Sequence, residues 1–413
     1  RVGIRRQRQM CIRDSGYIGW LEKDLDNQAL VSGGVWENSG DLFVGSGGGN
    51  GSAVISDGGS IHTDRAGIGG RVVVEGNGSL LAVDRSLNFG EYNFYGYNGS
   101  LGEGGSLSVR EGGLVLVGNV DSNNLSGLVE GGSLVIGAAS GSAEMMVSKR
   151  AVVDADNVYL GLSSNESGTV TLSGSSWLDV RESISIGQAG KSNSLVVSDN
   201  AYLSVEDALR VGASGSDNLL SVKEGGAVES AGATIGSAET AHGNSVVIEG
   251  AGSVWRNSGA LSVGDEGSGN ALEVRDGALV TTRSLRIGEE VGAMSNRVVV
   301  SGHPSRIELE NEMIVGMKGS GNSLLIEDGG RVADSSGILG FDAAASGNTA
   351  VVRGGESIWE NGAQLAVGLN GSDNALSIEN GGRVTSEFGF VGKYAGATNN
   401  RVVVSGAGAE WNI

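Results

Sequence analysis

Three kinds of side chain in this 413-residue sequence could do chemistry: histidines, clustered acids, and a long row of asparagines with tryptophans nearby. The histidines are His62, His242 and His303. They occupy unrelated positions, with no cysteine pair and no His-x-Glu-x-x-His spacing, so the sequence assigns no zinc site. A serine nucleophile would need a G-x-S-x-G elbow, and a phosphate cradle a Walker loop or G-x-G-x-x-G; none occurs. Asp217 and Asp265-Glu266 are acids of the type that bind calcium, but the G-G-x-G-x-D-x-U-x nonapeptide of calcium solenoids is missing. A polysaccharide-cleaving site would need converging carboxylates with a Lys or Arg base on long, unique loops. Such loops could lie only in the irregular stretch 86–160, with Glu103, Glu111 and Asp121 as its acids. Asn-Gly-Ser at Asn50, Asn77, Asn98 and Asn370 is expected in an Asn/Gly/Ser-rich chain and assigns nothing. No catalytic residue, metal ligand or cofactor site follows from these residues.

The asparagines are periodic. Asn218, Asn244, Asn270, Asn296, Asn322, Asn348, Asn374 and Asn400 recur every 26 residues, and Asn193 precedes them by 25. Two residues after each comes an aliphatic residue (Leu220, Val246, Leu272, Val298), and four after another (Val222, Ile248, Val274, Val300). That is the period of a strand, with the Asn on the core side. A second strand per unit ends in an aliphatic-Gly pair such as Val263-Gly264, Ile287-Gly288 and Val315-Gly316, at spacings alternating between 24 and 28. A third short segment carries Gly-Gly-x-Val or, in alternate units, Gly250-Ala251-Gly252-Ser253-Val254-Trp255 and Gly354-Gly355-Glu356-Ser357-Ile358-Trp359. The backbone therefore repeats every 26 residues and its decoration every 52.

Such a unit cannot bury its apolar face alone, but a stack can. The prediction is an all-β, right-handed, single-stranded parallel β-helix, with three short strands per coil and about fifteen coils spaced roughly 4.8 Å apart. A propeller is the rival, but the full 26-residue repeat argues against it. The charges five residues after each Asn alternate as Lys223, Glu249, Arg275 and then Glu327, Arg353, Glu379, an order that serves residues stacked one coil apart. Stacking also makes the Asn row a buried ladder of amides. Trp177, Trp255, Trp359 and Trp411 could be sugar platforms, but Trp255 follows one inserted loop residue and falls where neighbouring coils place Val. The four are therefore read as core aromatics whose indole N–H needs a partner.

Composition bounds the rest. Glycine makes up 74 residues and proline one, with 28 basic against 48 acidic residues and net charge −20. Collagen lacks its G-X-Y period here, and so acidic a chain is no nucleic-acid binder. Residues 1–15 stand apart with five Arg, one acid and the lone Cys11; they resemble translated sequencing adaptor and are read as non-native. Residues 16–185 read as irregular coils and 186–413 as regular repeats. The chain reads as a fragment ending mid-motif at Trp411-Asn412-Ile413.

The unit from Leu261 to Gly302 (LSVGDEGSGNALEVRDGALV…LRIGEEVGAMSNRVVVSG), with its G-A-G-S-V-W at 250–255, resembles the type V secretion / PEP-CTERM-associated repeat of bacterial autotransporter passenger regions. The resemblance is close over 186–413 and loose before it. The unit Gly302-His303-Pro304-Ser305-Arg306-Ile307 departs from it, with Ile in the Trp position. The resemblance implies a non-enzymatic, exported, monomeric stalk on the bacterial surface, adhesin-like, tied to the outer membrane through a β-barrel or sorting anchor. Its partners would be glycans or proteins of a host or matrix surface.

Overall fold

The computed structural model describes residues 15–19, 26–45, 50–89, 91–94, 97–100, 105–120, 128–129, 132–137 and 143–413. The non-native reading of the N-terminal block, and the candidate acids Glu103 and Asp121, lie outside them. The described residues form strands and turns with no helix. They divide into two compact units, 1–183 and 184–413. Each is a parallel β-solenoid.

In the second unit, one ladder takes one strand from each of nine coils, from Ser194–Val197 to Arg401–Ser405. Its register is the 26-residue repeat: Val246 pairs with Leu272, Leu272 with Val298, and Val298 with Leu324. Residues two and four after each Asn point inward, and Leu220, Leu272, Val298, Val222, Val274 and Val300 are fully buried. The other two strands of each coil share a second parallel ladder. They are separate in some coils, as Val254–Asn257 and Ala260–Val263, and fused in others, as Tyr202–Val211 and Arg331–Leu339. In the fused coils the register shifts between Val205 and Ala208, or between Asp334 and Ser336, so a bulge turns the corner while the backbone stays extended. A coil thus has three faces but often only two continuous strands.

The first unit has the same ladder with uneven coils. Gln28 pairs with Ser52, Ser52 with Arg71, Arg71 with Ser106, Ser106 with Glu144, and Glu144 with Thr169. The two longest of these steps contain antiparallel pairs, Glu91–Phe94 with Tyr97–Ser100 and Asn119–Val120 with Leu128–Val129. These excursions explain why 86–128 resists registration as coils. The row that holds Asn in the second unit opens here on Asn27 and continues as Gly51, Gly70, Gly105, Ala143 and Gly168. A Cβ on Gly70 or Gly105 would lie 2.1 Å from the carbonyl oxygen of Gly51 or Ile68, so a side chain there has no room.

Candidate functional site

The asparagine row is built by backbone geometry. Each Asn directly precedes a ladder strand and follows a tight loop, which turns its side chain inward. Asn244, Asn270, Asn296, Asn322 and Asn348 are fully buried. Asn270 donates from both its backbone N–H (2.9 Å) and Nδ2 (3.1 Å) to Asn296 Oδ1. Asn296 does the same to Asn322, at 2.9 and 3.1 Å. Nδ2 also donates backward: Asn270 to Ala241 O at 3.0 Å and Asn296 to Gly267 O at 3.0 Å. One amide therefore ties three coils together. The same donations link Asn193 to Asn218, Asn218 to Asn244, Asn348 to Asn374, and Asn374 to Asn400. With its donors and acceptor engaged inside the wall, the row has nothing left for a ligand.

The aliphatic-Gly pairs belong to the same device. Gly212, Gly264 and Gly316 have φ of 74°, 74° and 79°. A Cβ on any of them would stand 2.1–2.2 Å from Nδ2 of Asn244, Asn296 or Asn348. Both facts demand glycine: the left-handed backbone and the amide pressed against it.

A second buried column carries the tryptophans. Trp255 and Trp359 are fully buried, in register with Val228 and Val332. The indole of Trp255 donates to Ser230 Oγ at 3.0 Å, that of Trp359 to Asp334 Oδ2 at 2.6 Å, and that of the half-buried Trp411 to Ser386 Oγ at 3.1 Å. Trp177 overturns the core reading. It is 47% exposed, while Leu178 and Val180 are buried. In the other two coils one residue separates the buried Ser from Trp (Ser253-Val254-Trp255, Ser357-Ile358-Trp359), but Ser176 abuts Trp177 directly. Strand alternation then sends the ring outward.

The sequence reading missed two parts of this column. One is a Trp-x-Asn motif at 36–38, 255–257 and 359–361. Asn257 accepts from Ser230 Oγ at 2.9 Å and donates to Thr282 Oγ1 and Gly259 O at 3.0 Å, and Asn38 donates likewise to Thr63 Oγ1 and Gly40 O. The other is a small residue 22 positions before Trp255, Trp359 and Trp411: Ala233, Gly337 and Gly389. A Cβ on Gly337 would lie 2.2 Å from Asn361 Oδ1 and 2.7 Å from Trp359 Cζ2, and one on Gly389 2.8 Å from Trp411 Cζ2. Where Ile307 replaces Trp, that position is the buried Leu285. Both signals were legible only at fixed offsets from Trp itself, two residues after it for the Asn and 22 before it for the small residue.

The charge row pairs across coils: Arg275 Nε donates to Glu249 Oε2 at 3.0 Å and Arg353 Nε to Glu327 Oε2 at 2.8 Å. Bonding to those carboxylates holds both guanidiniums above their ordinary range. At the acid loop, burial together with Glu289, Glu266 and Glu290 raises the Asp265 carboxyl, and Glu290 is paired with Lys318 at 2.8 Å. Of the candidate acids in 86–160, Glu111 sits on an exposed turn and pairs with Lys149 at 2.8 Å. Asp154 and Asp156 converge on Arg181, and Asp156 also accepts the Gly132 N–H at 2.5 Å.

The titratable hollow of the first unit lies outside that stretch. Glu37, His62, Asp64, Asp84 and Arg85 line an open hollow of about 570 Å³. His62 Nε2 meets Asp84 Oδ1 at 2.7 Å and Nδ1 meets Glu37 Oε2 at 3.3 Å, while Arg85 pairs with Asp64. Burial lowers the imidazole's proton affinity, but Asp84 and Glu37 outweigh it and the net shift is upward. His242 and His303 are not part of this group; His303 lies 3.7 Å from Glu356 on the second unit. Among the described residues no three His, Cys, Asp or Glu are arranged to hold a metal ion.

No family model matches the chain, and no curated protein matches it. Among solved structures it is similar to the TibC-catalysed, hyper-glycosylated TibA fragment 55–350, at 14% identity and TM-score 0.34, over 97% of this chain and all of that one.

Proposed function

We propose that the chain is a non-enzymatic structural stalk, the passenger region of an exported bacterial surface protein, which presents a binding surface away from the cell. The observation that supports this most is the asparagine ladder. Its nine positions are spent on holding coil to coil, so the most regular feature of the sequence serves stiffness. Nine coils at about 4.8 Å give the second unit a stack of roughly 40 Å. Its loops are short and the chain carries more acids than bases, which keeps the surface charged and soluble. The resemblance of 186–413 to type V secretion / PEP-CTERM-associated repeats supports export, with an outer-membrane barrel or sorting anchor as attachment. The partners of this reading are glycans or proteins of a host or matrix surface.

The test is display on intact cells. The native gene product should be labelled by antibody and shaved by external protease without lysis, and the purified chain should leave acidic polysaccharides uncleaved. Protection from the protease in intact cells would overturn the stalk. Depolymerisation of a glycan would establish the alternative, a β-helical polysaccharide lyase or hydrolase.

A further inference from the structure

We propose that Asp334 is a neutral carboxylic acid in the folded protein at neutral pH, donating its O–H to Asn361 Oδ1 as a hydroxyl does elsewhere in the same column. Two buried oxygens lack a partner at this place, Asp334 Oδ1 and Asn361 Oδ1. The residues are in register on adjacent coils. Two buried acceptors in register on adjacent strands without a hydrogen are costly in a dry interior, and one proton shared between them would satisfy both. The repeat supplies the template. At 52-residue intervals the column reads Ser230, Thr282, Asp334, Ser386, so Asp334 stands where the others carry a hydroxyl. Ser230 accepts from the Trp255 indole and donates to Asn257 Oδ1. Asp334 accepts from Trp359, and Asn361 follows Trp359 as Asn257 follows Trp255. Only the protonated acid can complete the same pair of bonds.

The charges around the site are spent elsewhere. On the preceding coil Arg306 pairs with Glu308, and Glu310 and Glu312 lie on the outer side of the wall; Arg331 on its own strand pairs with Glu360 of the next coil. Burial pushes the carboxyl up to about 8, against a smaller lowering by the indole. The unfolded chain holds this acid near the ordinary carboxylate range, about 4. The folded state therefore keeps a proton that the unfolded state has lost over that interval. The stabilisation is complete below about 4, shrinks about tenfold in the folding constant per pH unit above it, and is gone once pH passes the folded value.

Infrared spectra at pH 7 should show a protonated-carboxyl carbonyl band in the wild type that D334N lacks. Asn supplies a donor and an acceptor without a proton to lose. D334N and D334S, the latter copying Ser230, should therefore match the wild type at pH 5 and exceed its denaturation midpoint increasingly toward pH 8.5. The absence of the band, or wild-type and D334N midpoints that run parallel over pH 5 to 8.5, would overturn the proposal. If D334S fails to fold, the infrared comparison with D334N still decides.

Discussion

A single asparagine carries several duties at once. Asn296 satisfies the N–H and Nδ2 of Asn270, engages Asn322 with its own, and reaches back to Gly267 O. Asn296→Ala removes all the side-chain bonds, taking the acceptor from the Asn270 N–H and Nδ2 and a donor from Asn322 Oδ1 and Gly267 O, at roughly 1–3 kcal/mol for each buried group left unpaired. The expected loss is about 3 kcal/mol or more, read as a lower denaturation midpoint and as faster amide exchange at Asn270. At His62 the folded pKa is raised, so its pairing with Asp84 and Glu37 stabilises fully below the ordinary imidazole range, and that contribution disappears as pH rises through the folded value. Asp84→Asn should lower the His62 titration midpoint seen by NMR; an unchanged midpoint would show that Asp84 does not set it. The sequence displayed the asparagines because their interval is fixed. It hid His62, whose partners Glu37 and Asp84 come from coils of unequal length, and it hid the outward Trp177 because one missing loop residue reverses a strand's two faces.

Strands in this molecule are matched by volume across neighbouring coils. Trp359 fills the space left by Gly337, while the Ile307 coil returns that space to Leu285. Close packing makes each change alone expensive. Gly337→Leu should overfill the wall, and Trp359→Ile should leave a cavity. The double variant, made with the other three proteins in an Asn361→Leu background so that it copies Leu285, Ile307 and Leu309, should recover a large part of both losses. Thermal unfolding of the four proteins gives the coupling, and strictly additive losses would refute the complementarity. The strand pattern of the second unit was legible because apolar residues alternate beside a fixed Asn. The fused second and third strands were not, since a bulge at Asp334–Ser336 leaves no Gly or Pro to mark a break. In the first unit Gly51, Gly70 and Gly105 take the place of the Asn, and glycine is too common in this chain to serve as a landmark.

At the largest scale, within each solenoid unit, nearest neighbours decide stability. Deleting 270–321 removes one 52-residue period and joins Gly269 to Asn322, restoring the same Gly-Ser-Gly-Asn junction. That shortened protein should keep its β-sheet circular dichroism and its thermal midpoint. Deleting 296–321 alone should unfold at lower temperature, because it removes Ile307 from its matching Leu285 and sets the Val280 coil directly against the Val332 coil. Equal stability of the two deletions would show that the 52-residue alternation has no energetic meaning. The ladder also has a direction. From Asn193 to Asn374 each Asn gives its backbone N–H and Nδ2 to the Asn of the following coil, so one end of the row is defined by what it accepts and the other by what it offers. A coil added in reverse would bring donor against donor. The wall is vectorial, like a filament with a plus and a minus end, and growth on its two ends obeys different chemistry.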